Sequence, residues 1–229
     1  IKNFKKLNKI FKKHNISSVI HLAASLSVGE SEKKPKKYYL NNVLGTKNVI
    51  KCCNQNNVKN LIFSSTCAVY KDQMKIVKES SKVKPKSVYG KTKLAAEKLI
   101  KNNLNKKKMN YAILRYFNVA GASESGKIGQ ISRGDQLFKN LSISAIKTKP
   151  KINIYGGDYR TKDGTCIRDY IHISDIAKIH LLVLKKINRI EKSIILNCGY
   201  GDGISVLEAV KEFQKITKKK FNIQIKKRR

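Results

Sequence analysis

The sequence has no tryptophan and only three prolines, and its 15 acidic residues are far fewer than its 50 lysines and arginines. Long apolar runs are also missing: no stretch is long enough to span a bilayer, and no secretory signal is recognisable. These absences argue against a membrane-spanning protein and against export by a visible signal. We therefore expect a cytoplasmic protein with no membrane partner.

Cysteine is present, but in no pattern typical of a disulfide framework or a zinc site. The five cysteines are an odd number and form no Cys-x-x-Cys, and Cys52 and Cys53 are neighbours in the chain. We expect free thiols in a reducing compartment. His21 and His172 lie in segments that look structural, and no histidine has a second ligand at metal spacing, so we predict no metal site.

Positive charge dominates the composition, with a formal net charge of +35 at pH 7. Clustered basic residues with interleaved aromatics would indicate nucleic-acid binding. The lysines instead occur in almost every segment, arginine is scarce, and aromatic residues make up only 7%. We predict a generic basic surface that attracts anionic substrates and has no specific nucleic-acid partner. A basic nucleic-acid-binding protein is the less favoured alternative.

Apolar segments of strand length alternate with helical patterns over the first half of the chain, which predicts parallel strands joined by right-handed crossover helices. The fold class is therefore α/β, a partial Rossmann-type doubly wound parallel sheet with a smaller mixed α/β substrate-binding region. We predict helices at 4–14, 35–56, 89–105, 136–147, 175–186 (capped by Ser174) and 206–216 (capped by Ser205), strands at 17–22, 61–63, 111–117, 152–155, 169–171, 194–196 and 221–225, and a long loop at 119–134.

We divide the chain into two domains. Residues 1–118 plus about 167–198 form the dinucleotide-binding (Rossmann) domain, and residues 119–166 plus 199–229 form the substrate-binding domain. The chain begins inside an amphipathic helix and not at a methionine. We therefore expect a fragment, with the first domain truncated at its N-terminus and the second at its C-terminus.

Small and polar residues follow the ends of three predicted strands. Ala23 and Ala24 follow the first strand, Ser64 and Thr66 the second, and Asn118 the third. Doubly wound sheets bind ligands at the carboxyl ends of their strands. The sequence therefore predicts a ligand site at this edge of the sheet.

Tyr89 and Lys93 are four residues apart at the start of a predicted helix, so their side chains share one face. A phenol has a pKa of about 10 and is a poor base at neutral pH. We expect the Lys93 ammonium and the helix N-terminus to lower the pKa of Tyr89. With the Thr66 hydroxyl to orient or relay a proton, the three groups can deprotonate a sugar hydroxyl while a hydride leaves the same carbon.

Six longer motifs occur along the chain: HLAASLSVGES (21–31), YYLNNVLGT (38–46), SSTCAVY (64–70), YGKTK (89–93), RYFN (115–118) and DGTCIRDYIH (163–172). Together they make the chain similar to the extended short-chain dehydrogenase/reductase family over nearly all of its 229 residues. Within that family, the chain most resembles nucleotide-sugar epimerases that act on UDP-hexoses.

The resemblance implies an NAD cofactor, a UDP-hexose substrate and a homodimer. It implies that Tyr89 is the catalytic base, with Lys93 and Thr66 as its partners. Arg168 suits the diphosphate because a guanidinium gives bidentate, charge-assisted hydrogen bonds; an ion pair with Asp163 or Asp169 is the structural alternative. The implied cofactor contacts are Ala23, Ala24, Asn41, Ser64, Tyr89 and Lys93, and the implied substrate contacts are Thr66, Asn118, Asn140, Leu141, Tyr155, Arg168 and Arg229.

The implied reaction interconverts UDP-glucose and UDP-galactose through a 4-keto intermediate, a step of galactose metabolism. An NAD-dependent epimerase of UDP-N-acetylhexosamines or uronates is the alternative within the fold. A dehydratase is disfavoured, because residues 65–67 read Ser-Thr-Cys and not Thr-Asp-Glu. The glycine-rich dinucleotide fingerprint is absent from the chain, and Leu26 stands where many relatives have a cofactor-contacting lysine, which leaves the fragment's own activity open.

Overall fold

The computed structural model describes residues 1–71, 76–104, 109–131, 134, 136–190 and 192–228. They form two compact units: Ile1–Tyr116 with Ala177–Cys198, and Phe117–Ile176 with Gly199–Arg229. The boundary that we drew from sequence places residues 167–176 in the first domain, whereas they lie in the second unit. The cofactor and substrate roles of the two units stay predictions.

The helices follow the predicted order with small differences at their ends. The predicted helix over 35–56 is an unbroken succession of α-helix, π-helix and α-helix. The α-helices are α1 (Phe4–Lys13), α2 (Val28–Lys33), α3 (Pro35–Tyr38), α4 (Gly45–Gln55), α5 (Val88–Leu104), α6 (Leu137–Ala145), α7 (Ile173–Ile190) and α8 (Val206–Thr217), with a π-helical segment at Tyr39–Leu44 and a 3-10 turn at Cys67–Val69.

The strands divide between the two units. They are β1 (Ser18–His21), β2 (Asn60–Thr66), β3 (Asn110–Tyr116), β4 (Asn118–Ala120), β5 (Lys151–Tyr155), β6 (Ile167–His172), β7 (Ile194–Cys198), β8 (Gly203–Ser205) and β9 (Asn222–Lys226). In the first unit β1, β2, β3 and β7 form one parallel sheet in the order β1-β2-β3-β7. The prediction of an α/β fold with a Rossmann-type parallel sheet is confirmed.

Strand β2 lies at the centre of the first unit, and all seven of its residues are buried. Such a strand is covered on both faces, as is usual in parallel sheets. Apolar side chains of α4, α5, β2 and β3 pack into one core, among them Val49, Leu61, Phe63, Ile100 and Ile113. The core holds the carboxyl ends of β2 and β3 in fixed register, with Thr66 opposite Tyr116.

The second unit contains two smaller sheets. Strands β4, β6 and β8 form one sheet, with β6 parallel to β4 and antiparallel to β8. Strands β5 and β9 form a parallel pair. Leu141 from α6, Val210 from α8 and Ile154 from β5 share a core there. This unit matches the smaller mixed α/β region expected from the sequence.

Of the two predicted helix caps, one is present. Ser205 caps α8: its hydroxyl accepts the Glu208 N–H (3.0 Å), and the Glu208 carboxylate accepts the Ser205 N–H (2.8 Å). The N-cap predicted at Ser174 is wrong, because α7 already begins at Ile173. The imidazole Nδ1 of His172 accepts the Ser174 N–H (3.2 Å) and so fills the capping role.

The described part of the chain contains no helix that is both long and apolar enough to cross a bilayer. The same residues contain no group of three or more His, Cys, Asp and Glu side chains placed to hold a metal ion. The five cysteines are free thiols.

Candidate functional site

Helix α5 begins at a fixed point because side chains of α2 bind its first backbone N–H groups. The Val88 N–H donates to the Glu32 carboxylate (2.8 Å). The Tyr89 N–H donates to the Ser31 hydroxyl (3.0 Å). These bonds satisfy groups that have no partner within the helix. They also hold Tyr89 in the first turn of α5.

Gly90 allows α5 to approach the 3-10 turn that follows β2. A Cβ atom at position 90 would lie 2.5 Å from the carbonyl oxygen of Ala68. Because that oxygen belongs to backbone, a side chain at position 90 would push the helix and the turn apart. The glycine between Tyr89 and Lys91 therefore brings Tyr89 close to the end of β2.

The Thr66 side chain lies close enough to Tyr89 to lower the pKa of its phenol. Both residues are buried, with only 9% and 8% of their surfaces exposed. The Thr66 hydroxyl accepts the Ala68 N–H (3.2 Å) at the start of the 3-10 turn. Two of the three side chains that the sequence predicts to be catalytic are therefore close neighbours.

Burial raises the pKa of Tyr89 to about 12, although the neighbouring Thr66 side chain lowers it; the nearby Cys67 raises it further. Lys93 is not among the groups that shift the pKa of Tyr89. The expectation that Lys93 lowers this pKa is therefore wrong. Removal from water disfavours the phenolate more strongly than the groups around it stabilise it.

Lys93 is almost completely buried, with 2% of its surface exposed. Burial lowers the pKa of its amine to about 7, and the charge of Glu97 acts in the opposite direction. Lys93 Nζ lies 4.5 Å from the centre of the Phe63 ring, a cation–π contact. Within the described residues Lys93 has no ion pair. A buried amine with no acidic side chain bound to it can donate a hydrogen bond to a ligand hydroxyl.

Glu97 and Arg115 form a buried ion pair that the sequence interpretation missed. Arg115 donates to both carboxylate oxygens of Glu97, from Nη2 (2.7 Å) and from Nε (3.0 Å). The Ser65 hydroxyl donates to the same carboxylate (2.5 Å). Glu97 lies four residues after Lys93, on the same helix face, and Arg115 opens the RYFN motif. The four-residue spacing from Lys93 to Glu97 is the feature of the sequence that could have indicated Glu97.

His21 lies at the end of β1 and is buried, as its position in the sequence suggests. Its Nε2 lies 2.9 Å from the Thr46 hydroxyl. Because that hydroxyl donates to the Asn42 carbonyl (2.6 Å), the imidazole must be the donor. Burial and the charge of Lys93 lower the pKa of His21 to about 4. His21 is therefore neutral at pH 7.

The loop after β1 is held by two adjacent asparagines of the π-helical segment. Asn42 accepts the Ser25 N–H (2.8 Å) and donates to the Ser25 carbonyl (3.1 Å), while Asn41 donates to the Ser25 hydroxyl (3.2 Å). Ala23 is exposed and Ala24 half-buried in this loop. Asn42 also donates to the Thr92 hydroxyl of α5 (3.1 Å). The loop and the catalytic helix are thus joined through one buried amide.

Ser64 lies two residues before Thr66 and close to a second phenol, that of Tyr116. Burial raises the pKa of Tyr116, and the Ser64 side chain lowers it. The Tyr116 hydroxyl is also 2.7 Å from Nε2 of His180. Tyr116 was not among the predicted site residues, although it lies in the RYFN motif.

In the second unit, Arg168 is exposed on β6. Among the described residues, Arg168 forms no ion pair with either of its predicted acidic partners. The Asp169 carboxylate accepts the N–H groups of Tyr200 (3.1 Å) and Gly201 (2.9 Å). The Asp163 carboxylate accepts the hydroxyl groups of Thr165 and Ser205. The structure therefore disfavours a structural ion pair as the role of Arg168.

The other predicted substrate contacts lie in different environments of the second unit. Asn118 is half-buried at the start of β4 and donates to the Asp169 carbonyl (3.1 Å). Asn140 is half-buried on α6, whereas Leu141 is fully buried in the core of this unit. Tyr155 is 38% exposed at the end of β5. Arg229 lies outside the described residues.

Comparison with known proteins gives consistent matches. The model of the NAD dependent epimerase/dehydratase family matches residues 1–199. A UDP-glucose 4-epimerase of Halalkalibacterium halodurans (strain C-125) is 40% identical over 213 residues, which are 92% of this chain and 64% of the relative. The chain therefore spans less than two thirds of that relative's length.

Two solved structures are similar over the whole chain. A UDP-glucose 4-epimerase from Brucella ovis, in complex with NAD, gives a TM-score of 0.94 at 35% identity and covers 100% of this chain and 71% of its own. A UDP-glucose-4-epimerase from Stenotrophomonas maltophila, with bound NAD and formylated UDP-arabinopyranose, also gives 0.94 at 35% identity, over 100% of this chain and 69% of its own.

Proposed function

The chain belongs to the NAD-dependent epimerase/dehydratase family, and from this premise we propose that the protein interconverts UDP-glucose and UDP-galactose with NAD as cofactor. The observation that carries the proposal is the grouping of three buried side chains: the Thr66 side chain lies close enough to Tyr89 to lower the pKa of its phenol, and the amine of Lys93 is one helical turn away. This arrangement offers a phenol to exchange the proton, a hydroxyl to orient it and an amine to bind the ligand.

The residues of the first unit fit a nicotinamide nucleotide. The Lys93 amine is buried and has no ion pair among the described residues, so it can donate to ribose hydroxyls. Ala23, Ala24, Asn41 and Ser64 would contact the cofactor from the carboxyl ends of β1 and β2 and from the π-helical segment. The chemistry that NAD⁺ supplies when bound is reversible uptake of a hydride from the sugar.

Tyr89 would accept the proton of the sugar 4-hydroxyl when C4 is oxidised, and return it when the 4-keto sugar is reduced on its other face. Burial raises the pKa of Tyr89 to about 12, so the phenol is protonated at pH 7. A bound ligand that brings positive charge close to Tyr89 lowers this pKa. The Lys93 amine, with a pKa of about 7, can add its own charge.

The second unit would hold the UDP part of the substrate. Arg168 supports this role, because it is exposed and forms no ion pair with Asp163 or Asp169 among the described residues. Asn118, Asn140, Leu141, Tyr155 and Arg229 are the other proposed contacts. Leu141 would contribute through its backbone, since its side chain is part of the core.

The test is Tyr89→Phe in protein expressed from the complete coding sequence, assayed with UDP-galactose and NAD⁺. Tyr39→Phe, which removes the hydroxyl of a tyrosine with 45% of its surface exposed, is the matched control. We expect kcat to fall about 1,000-fold or more in Tyr89→Phe, with KM within about threefold of the parent value. Activity that stays within about tenfold of the parent would contradict the role of Tyr89.

The proposal also covers assembly, location, metabolic role and partners. We propose a homodimer in the cytoplasm, with a role in galactose metabolism and no nucleic-acid or membrane partner. Light scattering after gel filtration measures the oligomeric state, and filter binding at physiological salt tests nucleic-acid affinity. Turnover of UDP-N-acetylhexosamines or UDP-uronates in the same assay would favour the alternative substrates.

A further inference from the structure

Glu97 has no role in the reaction proposed above, yet it is one of the most completely buried residues of the protein. Its side chain is inaccessible to solvent in a chain with a net charge of +35. A carboxylate in such a place is strongly destabilising unless charged or polar groups surround it. Arg115 and Ser65 supply them, through three hydrogen bonds of 2.5–3.0 Å.

The ion pair is anchored on the side away from α5 as well. Arg115 Nη1 donates to the Tyr70 hydroxyl (2.8 Å), which in turn donates to Asn197 of β7 (2.6 Å). The Asn197 N–H donates to the Glu79 carboxylate (2.8 Å). The position of the Glu97 carboxylate is therefore fixed by three strands of the central sheet.

Lys93 is the second buried cation close to Glu97. The two residues are one turn apart on the same face of α5, and Glu97 is the charged group that favours the charged form of the Lys93 amine. Among the described residues, three more ionisable groups lie in this region. They are His21 of β1, which is neutral at pH 7, Tyr89, and Cys67 close to Tyr89. The Glu97 carboxylate thus acts on two buried basic groups. It binds Arg115 directly, and its negative charge favours the protonated form of Lys93.

We propose that Glu97 is a positioning residue of this site: its carboxylate, held in place by Arg115 and Ser65, favours the charged form of the Lys93 amine, which acts on the ligand that Tyr89 deprotonates. The expected change in turnover rests on the function proposed above. The expected change in the pKa of Lys93 does not, because it depends only on the charges of Glu97 and Arg115.

The two members of the ion pair act on Lys93 with opposite sign. Glu97→Gln removes the negative charge and leaves Arg115 unpaired, so both changes disfavour a charged Lys93 and lower its pKa below about 7. Arg115→Met removes a positive charge and leaves the carboxylate to Lys93, which raises that pKa. Glu97→Asp keeps the charge and is expected to restore most of the original value.

The experiment is a pH titration of the protein labelled with [ε-13C]lysine, in which the Lys93 NMR signal is identified by its loss in Lys93→Arg. We expect the midpoint for Lys93 to fall by about one pH unit or more in Glu97→Gln and to rise by a similar amount in Arg115→Met. Glu212→Gln, which removes an exposed carboxylate paired with Lys215, is the matched control and should leave the midpoint unchanged.

Turnover provides the second measurement. In Glu97→Gln we expect the alkaline limb of the kcat profile to move to lower pH with the Lys93 midpoint, while KM for UDP-galactose stays within about threefold. An unchanged midpoint in Glu97→Gln, or shifts of the same sign in both variants, would overturn the proposal. If one of the two variants does not fold, as shown by the lack of a cooperative thermal transition, the direction of the Lys93 shift in the other variant tests the proposal.

A separate result distinguishes this proposal from the proposed function. If Tyr89→Phe retains full activity, the epimerase mechanism fails, but the two opposite shifts of Lys93 are still expected. If Tyr89→Phe is inactive and the Lys93 midpoint does not respond to Glu97→Gln, the mechanism stands and the role of Glu97 is refuted.

Discussion

The candidate residues of the two units differ in their access to water. In the first unit, Thr66, Tyr89 and Lys93 are at most 9% exposed, and the pKa values of Tyr89 and Lys93 are strongly displaced. In the second unit, Arg168 is exposed and Tyr155 is 38% exposed. Under the proposed function this difference has a physical reason. Proton transfer needs a site that excludes water before the ligand arrives, whereas a diphosphate is bound by charges that the ligand itself covers.

Burial of the candidate residues in the first unit affects the free energy of unfolding. A lysine with a pKa of about 7 in the folded state and 10.5 when unfolded favours the unfolded chain at neutral pH. Arg168, in contrast, is exposed to water. We therefore expect substitutions in the first unit to change stability and activity in opposite directions, and substitutions of exposed groups in the second unit to change binding alone.

The largest effect on stability is expected for Lys93→Met. The unfolded chain binds more protons than the folded one between pH 7 and 10.5, so the destabilisation by Lys93 is complete at pH 7 and below and disappears as the pH rises to 10.5. Removing the amine should raise the free energy of unfolding by about 3–5 kcal/mol at pH 6 and by much less at pH 10. Urea denaturation at the two pH values measures this difference.

The same variant should lose nearly all activity, which separates stability from function. Lys91→Met, on the exposed side of the same helix, is the control and should change the free energy of unfolding by no more than about 0.5 kcal/mol. Destabilisation of Lys93→Met at both pH values would contradict the view that the amine is held in an unfavourable charged state.

The next effect concerns acid stability and His21. Its pKa is about 4 in the folded state and 6.5 when unfolded, so the unfolded chain binds the additional proton. Folding stability should therefore decrease as the pH falls from 6.5 towards 4, by about 3 kcal/mol in total. His21→Asn should show a smaller decrease over this range in urea denaturation, whereas His14→Asn, on an exposed residue, should keep the parent slope.

A smaller effect, confined to binding, is expected for Arg168→Ala. Loss of a charge-assisted, bidentate partner should weaken UDP binding about 10- to 100-fold, or about 1.4–3 kcal/mol, with little change in the free energy of unfolding. Arg160→Ala, also exposed in the second unit, is the control. Calorimetric titration measures the affinity of both variants for UDP. Equal losses of affinity in the two would mean that Arg168 acts only through general charge attraction.

The smallest effect is expected at the cap of α8. Ser205→Ala removes the acceptor of the Glu208 N–H and should lower the free energy of unfolding by about 1 kcal/mol. Ser142→Ala, at an exposed position of α6, should have less than half of this effect. Loss of activity in Ser205→Ala beyond its loss of stability would show that the second unit is more closely involved in catalysis than its exposed residues indicate.

The sheet of the first unit could be predicted because its strands are short apolar runs separated by helices of clear periodicity. The contact between Tyr89 and Thr66 could be predicted as well, since parallel strands and the helices after them bring their ends to one edge. Short elements were missed: α2, β4 and β8 have three to six residues, too few for a period to show. The wrong cap at Ser174 has a local cause, because His172 supplies the acceptor instead.

The electrostatic state of the site could not be read from the sequence. The spacing of Tyr89 and Lys93 shows that they share a face, but it does not show how much water each retains. Burial is decided by residues distant in the chain, and it reverses the expected shift of the Tyr89 pKa. The ion pair of Glu97 and Arg115 likewise joins residues from a helix and a strand, and only the register of β3 brings them together.

The π-helical segment at Tyr39–Leu44 holds one residue more per turn than the helices on either side. Asn41 and Asn42, which point about 100° apart in an ordinary α-helix, both reach Ser25 here. Asn42 holds the Ser25 backbone at both its N–H and its carbonyl, so we expect the loop to stay attached when Asn41 is replaced by alanine.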